Sequence, residues 1–192
     1  MKTKCVVAVL AIVPLVLTVA CAAKPEGRVV STQGFSFLPP PAPQWREQLR
    51  QDEVIYLKQT DPAEVTVYAG ALDGKLGAKL DSREALLRFV REKKDQWGVP
   101  GRYSGTKTSF AIDEGAPSCV NYDLSTRDHH AKNAAEHDYL LMKVRGRFCL
   151  HPQDATSAVD LYYSVRHVPS FEPGALMAEG ETFLRSLRFE RH

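Results

Sequence analysis

Residues 127–138, RDHHAKNAAEHD, hold the densest set of chemically capable side chains in the chain. Asp128, His129, His130, Glu136, His137 and Asp138 carry imidazole nitrogens and carboxylate oxygens, the donors that Zn²⁺ takes. His130 and His137 stand seven apart and no His-x₃-His pair is present, so the spacing matches no standard zinc set. On a helical turn His130, Ala134 and His137 would share a face. The competing reading is a charged, solvated hairpin loop. Patterns for nucleophilic catalysis are thinner still. The chain has no G-x-S-x-G elbow and no H-E-x-x-H pair, and GALDGKLGAKL at 70–80 lacks the phosphate-loop spacing and reads as a turn-rich connection. No catalytic residue and no cofactor are assigned.

Cysteine chemistry is more specific. Lys2 and Lys4 precede an apolar run, Val6 to Val19, and no acid occurs before Glu26. That layout is a secretory signal, and the run of about 15 residues falls short of the ~20 that span a bilayer as a helix. Val19-Ala20-Cys21 ends it, with a small residue directly before a cysteine. The segment Leu17 to Cys21 resembles the bacterial lipobox, although Thr18 stands where leucine is commonest. The resemblance implies cleavage before Cys21 and acylation of its thiol. Two or three acyl chains, such as palmitate, anchor a protein stably where one does not. Ala22, not aspartate, follows the cysteine, which by the same resemblance implies an outer-membrane lipoprotein facing the periplasm.

Loss of residues 1–20 leaves 172 residues, enough for one domain with a core, and lowers the formal charge from +2 to zero. A neutral chain argues against nucleic acid as a partner. Of four cysteines, Cys5 leaves with the signal and Cys21 takes the lipid. Cys119 and Cys149 remain, without a C-x-x-C spacing, and in an exported chain they read as one structural disulfide.

The elements that must position these groups follow from period and punctuation. Residues 21–33 read as a tether and 34–192 as one domain. Gly34 to Phe37 is a short strand before a proline-rich corner, and Trp45 follows. Val54 to Leu57 and Glu64 to Tyr68 are an antiparallel pair. Asp81 to Trp97 is a helix, with Asp81 as cap and Glu84 completing a capping box. Strands follow at Tyr103 to Ile112, Cys119 to Leu124, Tyr139 to Leu150 and Val159 to Val165, and a last helix runs from Gly174 to Leu187. On the 159–165 strand, Val159, Leu161, Tyr163 and Val165 face one way, and Asp160, Tyr162, Ser164 and Arg166 the other.

The cysteines fix a register. With Cys119 opposite Cys149, Val120 meets Phe148 and Leu124 meets Val144 on one face, while Asp123 meets Arg145 on the other. A slip of one residue would exchange the faces. Tyr56, Tyr68, Tyr103 and Tyr162 are candidates for a binding surface or for half-buried packing on the sheet.

The order of elements, opened by GFSFLPPP and closed by FLRSLRF, resembles the PsbP-like fold. The family is named after the extrinsic photosystem II protein and includes a nuclear Ran-binding protein and bacterial envelope lipoproteins. The resemblance implies an α+β domain, an antiparallel sheet flanked by helices as an α/β/α sandwich, and a binding or accessory role. The expected function is a non-enzymatic, membrane-anchored envelope lipoprotein with a protein partner or other envelope component. A periplasmic metal-binding protein using residues 128–138 and an envelope hydrolase with an unrecognised site are the alternatives.

Overall fold

The computed structural model describes residues 30–32, 34–40, 45–50, 53–60, 65–131 and 137–189. Ten strands and two helices follow one another as β1 (Val30–Thr32), β2 (Phe35–Phe37), β3 (Trp45–Leu49), β4 (Glu53–Gln59), β5 (Thr66–Lys75), α1 (Arg83–Asp95), β6 (Tyr103–Ile112), β7 (Cys119–Asp128), β8 (Leu140–His151), β9 (Asp154–His167), α2 (Gly174–Arg185) and β10 (Arg188–Phe189). Seven strands form one sheet in the order β3-β4-β5-β9-β8-β7-β6, and β1-β2-β10 form a small second sheet. Every pairing between these strands is antiparallel.

The helices lie on opposite faces of the large sheet because strand residues alternate. Val159, Leu161, Tyr163 and Val165 share a core with Phe183 and Leu184 of α2 and with Phe35 and Phe37 of the small sheet. Residues of the other parity, including Val120, Tyr122, Leu124 and Phe148, pack on Leu86 and Val90 of α1. The fold is therefore α+β, an antiparallel sheet between helices, as the resemblance in element order implies.

The register holds residue for residue. Cys119 pairs with Cys149, Val120 with Phe148, Asp123 with Arg145 and Leu124 with Val144. The two cysteines are joined by a disulfide, with Cα atoms 4.1 Å apart. The expected cross-strand ion pair is present, Arg145 Nε donating to Asp123 Oδ1 at 2.8 Å. Arg145 also reaches Glu181 of α2 at 2.8 Å and so ties helix to sheet.

Several boundaries differ from expectation. Val30–Thr32, assigned to the tether, pairs with Phe35–Phe37, so part of the 21–33 segment belongs to the domain. Gly70 to Lys75 is not a connection but the continuation of β5, bonded along its length to β9. Gly70 serves packing instead, while Gly74 and Gly77 have open space beside them. Tyr162 lies over Gly70, and Tyr122 lies over Gly146 in the same way on the next strand pair. A methyl group at either glycine would run into the tyrosine ring. Gly146→Ala is therefore expected to cost about 1–3 kcal/mol, the range for overpacking a filled interior, read by urea denaturation. Unchanged stability would show that Tyr122 has another place to go.

The cap of α1 is Ser82, not Asp81. Its hydroxyl accepts the amide hydrogen bond of Ala85 at 3.0 Å. Glu84 then falls one position short of the third helical residue and closes no capping box, remaining a favourable acid in the first turn.

Candidate functional site

The polar face of β9 lies beneath the end of α1. Asp160, Tyr162, Ser164 and Arg166 point to that side, and the strands flanking β9 set what stands beside each. Tyr68 and Val144 flank Ser164, while Thr66 and Met142 flank Arg166. Beyond the last turn of α1 the helix no longer covers the sheet, and a cleft of about 380 Å³ opens there. That volume lies within the range of about 300–1,000 Å³ common for small-molecule sites.

The cleft has three parts. Its floor is apolar, from Leu124, Met142 and Val144, with the Ser164 hydroxyl among them. Its rim is aromatic. Trp97, just past α1, is 44% exposed, and its ring centroid lies 4.9 Å from that of Tyr103. Tyr68 completes the lining opposite.

The two ends carry charge. At the first, Asp160 accepts from the Tyr122 hydroxyl at 2.8 Å and is ion-paired with Lys94 of α1. The Lys94 ammonium also stands 4.3 Å from the centre of the Tyr122 ring. Glu53 accepts from the Tyr162 hydroxyl at 2.8 Å and lies 3.7 Å from Arg50. Burial, reinforced by the adjacent acids, drives the Tyr122 and Tyr162 phenols up from their ordinary value, so both remain neutral donors.

At the second end, Asp128 is fully buried on the inward face of β7. Arg102 grips it in a fork, Nε to Oδ1 at 2.9 Å and Nη2 to Oδ2 at 2.8 Å. Arg166 Nε stands 2.9 Å from Oδ2, an ion pair without the alignment of a hydrogen bond. The His130 amide donates to Oδ1 at 3.1 Å. Burial alone would raise the Asp128 carboxyl, but the Arg102 bonds, the Arg166 charge and the His130 amide together hold it below its ordinary value.

That arrangement takes Asp128 out of the ligand set read from residues 128–138. Asp128 points into the fold and is committed to two arginines, which would repel a cation. His129 turns away to the exposed side, its Nε2 2.7 Å from Ser104 Oγ and its Nδ1 3.2 Å from the Asp138 carbonyl. His130 borders a second hollow lined by Arg102 and Arg166. His137 and Asp138 are exposed, and Glu136 lies outside the described residues. Among the described residues no three His, Cys, Asp or Glu side chains form a group that could hold a metal ion. Strand alternation separates Asp128 from His129. Cys21 also lies outside the described residues.

Of the four tyrosines singled out from sequence, Tyr68, Tyr103 and Tyr162 line the cleft, while Tyr56 is buried in the opposite core beside Phe183. Arg102 and Lys94 carry no sequence signal of their own, and Trp97, which helical spacing places at the end of the 81–97 helix, lies past its last turn. The polar face of β9 was the legible part.

No protein-family profile matches the chain, and no curated protein matches it in sequence. Solved structures similar to it include the Ran-binding protein Mog1p of Saccharomyces cerevisiae, at 11% identity over 85% of this chain and 95% of that one, TM-score 0.49. Cyanobacterial PsbP (CyanoP) from Synechocystis sp. PCC 6803 is similar at 11% identity over 84% of this chain and 91% of that one, TM-score 0.40. These likenesses concern the layout of elements and assign no residue a role.

Proposed function

We propose that this protein is a lipid-anchored binding protein of the bacterial cell envelope, held through Cys21 at the periplasmic side of the outer membrane. It acts without catalysis, through the cleft between α1 and the sheet. The observation that carries the binding role is the cleft itself. An apolar floor and an aromatic rim lie between charges already fixed in place by Tyr122, Tyr162 and Asp128. Such prior fixing lowers the ordering cost of association. The anchor rests on the Val19-Ala20-Cys21 sequence.

Two measurements test this reading. Cells fed labelled palmitate should incorporate it into the wild-type protein, and Cys21→Ser should abolish both the label and sedimentation with membranes. An unlabelled, freely soluble wild type removes the anchor. A photoreactive residue at Trp97 should yield a discrete adduct in cells, and one at Leu49, exposed on β3, should not. Equal labelling from both positions would remove the cleft as the binding surface.

A further inference from the structure

The two ends of the cleft differ in electrical balance. At the α1 end, Lys94 and Arg50 offset Asp160 and Glu53. At the other end, Arg102 and Arg166 share the single carboxylate of Asp128. Among the described residues one guanidinium charge is left without an acidic partner of its own, at the border of an apolar floor.

The donors there are not used up. Each guanidinium carries five N–H donors. Arg102 gives Nε and Nη2 to Asp128, and Arg166 places Nε beside Asp128 and Nη2 3.5 Å from the sulfur of Met142. Both arginines line the same cleft as Tyr68 and Ser164, and Arg166 also meets the Tyr103 side chain. An anionic head is the group that matches this set, since planar guanidinium forks pair with carboxylate.

The body of the ligand follows from the rest of the lining. Leu124, Met142 and Val144 form the floor, and the Trp97 and Tyr103 rings close the rim. From Arg166 to Asp160 the lining of the cleft extends about 20 Å along β9, at roughly 3.3 Å per residue, with the apolar floor in the rows of Arg166 and Ser164. A chain laid along it would run from the arginines toward the neutral, tyrosine-bonded end.

We propose that the cleft binds a single-headed anionic amphiphile of the fatty-acid class, its carboxylate on Arg102 and Arg166 and its apolar chain over Leu124, Met142 and Val144. This rests on the reading of the cleft as a binding site and adds the chemistry of the occupant. Sequence separates the floor and Arg166 onto β7, β8 and β9, which the sheet register assembles, and Asp128 of β7 draws in Arg102 from the turn before β6.

The test compares amphiphiles with the same chain and different heads. Dodecanoate, dodecyl maltoside and dodecyltrimethylammonium are titrated below their micelle concentrations into the disulfide-bonded domain, with Trp97 emission read in a Trp45→Phe background. Dodecanoate should saturate at one site per chain, and both other heads should bind at least about tenfold more weakly. Arg166→Met leaves Asp128 paired with Arg102 and should erase the preference among heads. Ser164→Leu fills the floor and should abolish binding of all three, which serves as the test should Arg166→Met fail to fold. No saturable binding of dodecanoate overturns the proposal. Equal binding of the three heads overturns it as well while leaving an apolar binding cleft. Tighter binding of an apolar peptide with a free C-terminal carboxylate overturns it in favour of a peptide. None of these outcomes bears on the palmitate label at Cys21, so the anchor stands or falls separately.

Discussion

Asp128→Ala is expected to destabilise the domain by about 3–5 kcal/mol, the range for removing one partner of a buried ion pair. The cost does not come from the lost attraction alone. Arg102 and Arg166 would be left facing each other around an emptied site, with Arg102's side chain 29% and Arg166's 18% exposed. Uncompensated charge in that setting outweighs the small cavity left by the carboxylate. Urea denaturation of wild type and variant at neutral pH measures it. A difference below about 1 kcal/mol would mean that water already neutralises the site as a surface ion pair is neutralised.

The pH dependence has a definite sign. Asp128 is held below its ordinary carboxylate value in the folded chain, despite burial, by Arg102, Arg166 and the His130 amide. A group with a depressed folded pKa contributes stability that is complete above the unfolded value, about 3.9, and is lost as pH falls through the folded one. The gap between wild type and Asp128→Ala should therefore be widest near neutrality and narrow on acidification below about pH 4. A gap that stays constant over that range would mean that Asp128 acts through packing and not through charge.

Breaking the Cys119–Cys149 bridge should cost about 2–5 kcal/mol. The bridge spans a sequence separation of 30 residues, and closing a loop of that length restricts the unfolded chain by roughly 3–4 kcal/mol in the chain-entropy view. Both cysteines are fully buried in the α2-side core, so Cys119→Ala with Cys149→Ala adds a packing loss to the entropic one. For a domain of this size the melting temperature should fall by about 4–20 °C. Calorimetry of the double variant against the oxidised wild type checks this. An unchanged melting temperature would show that β7 and β8 hold their register without the bond. Retained secondary structure in the variant is expected, because ten consecutive residue pairs join these two strands.

The cysteine register was readable because one assumption, Cys119 opposite Cys149, sorted every neighbouring side chain onto a consistent face. The same alternation placed Asp160, Tyr162, Ser164 and Arg166 together on β9 and so exposed half of the cleft in advance. The strand ends were less legible. Gly70 and Gly74 suggest a turn by composition, yet β5 runs through both, paired to Tyr162 and Ala158 of β9, and Tyr162 fills the space above Gly70. A residue four strands further along the sequence thus takes part in the local structure.

The same alternation divides the histidine stretch. Residue type and proximity in sequence made 128–138 the richest site on the chain, but adjacent strand residues face opposite sides. Asp128 went inward to Arg102 and Arg166, and His129 outward to Ser104.

The sequence by itself determined the quantities that repeat along the chain: the strand and helix periods, the faces they separate, the disulfide and the register it fixes. Each depends on neighbours two to four residues apart, or on a single cross-link. Only the tertiary structure decided which polar residues meet. Arg102 and Asp128 are 26 residues apart, Lys94 and Asp160 are 66 apart, and Glu53 and Tyr162 are 109 apart. Their pairing depends on the strand order β4-β5-β9-β8-β7-β6 and on where α1 stops covering the sheet. No local period encodes either, because burial of the apolar faces, not attraction between these charges, chooses how the layers stack.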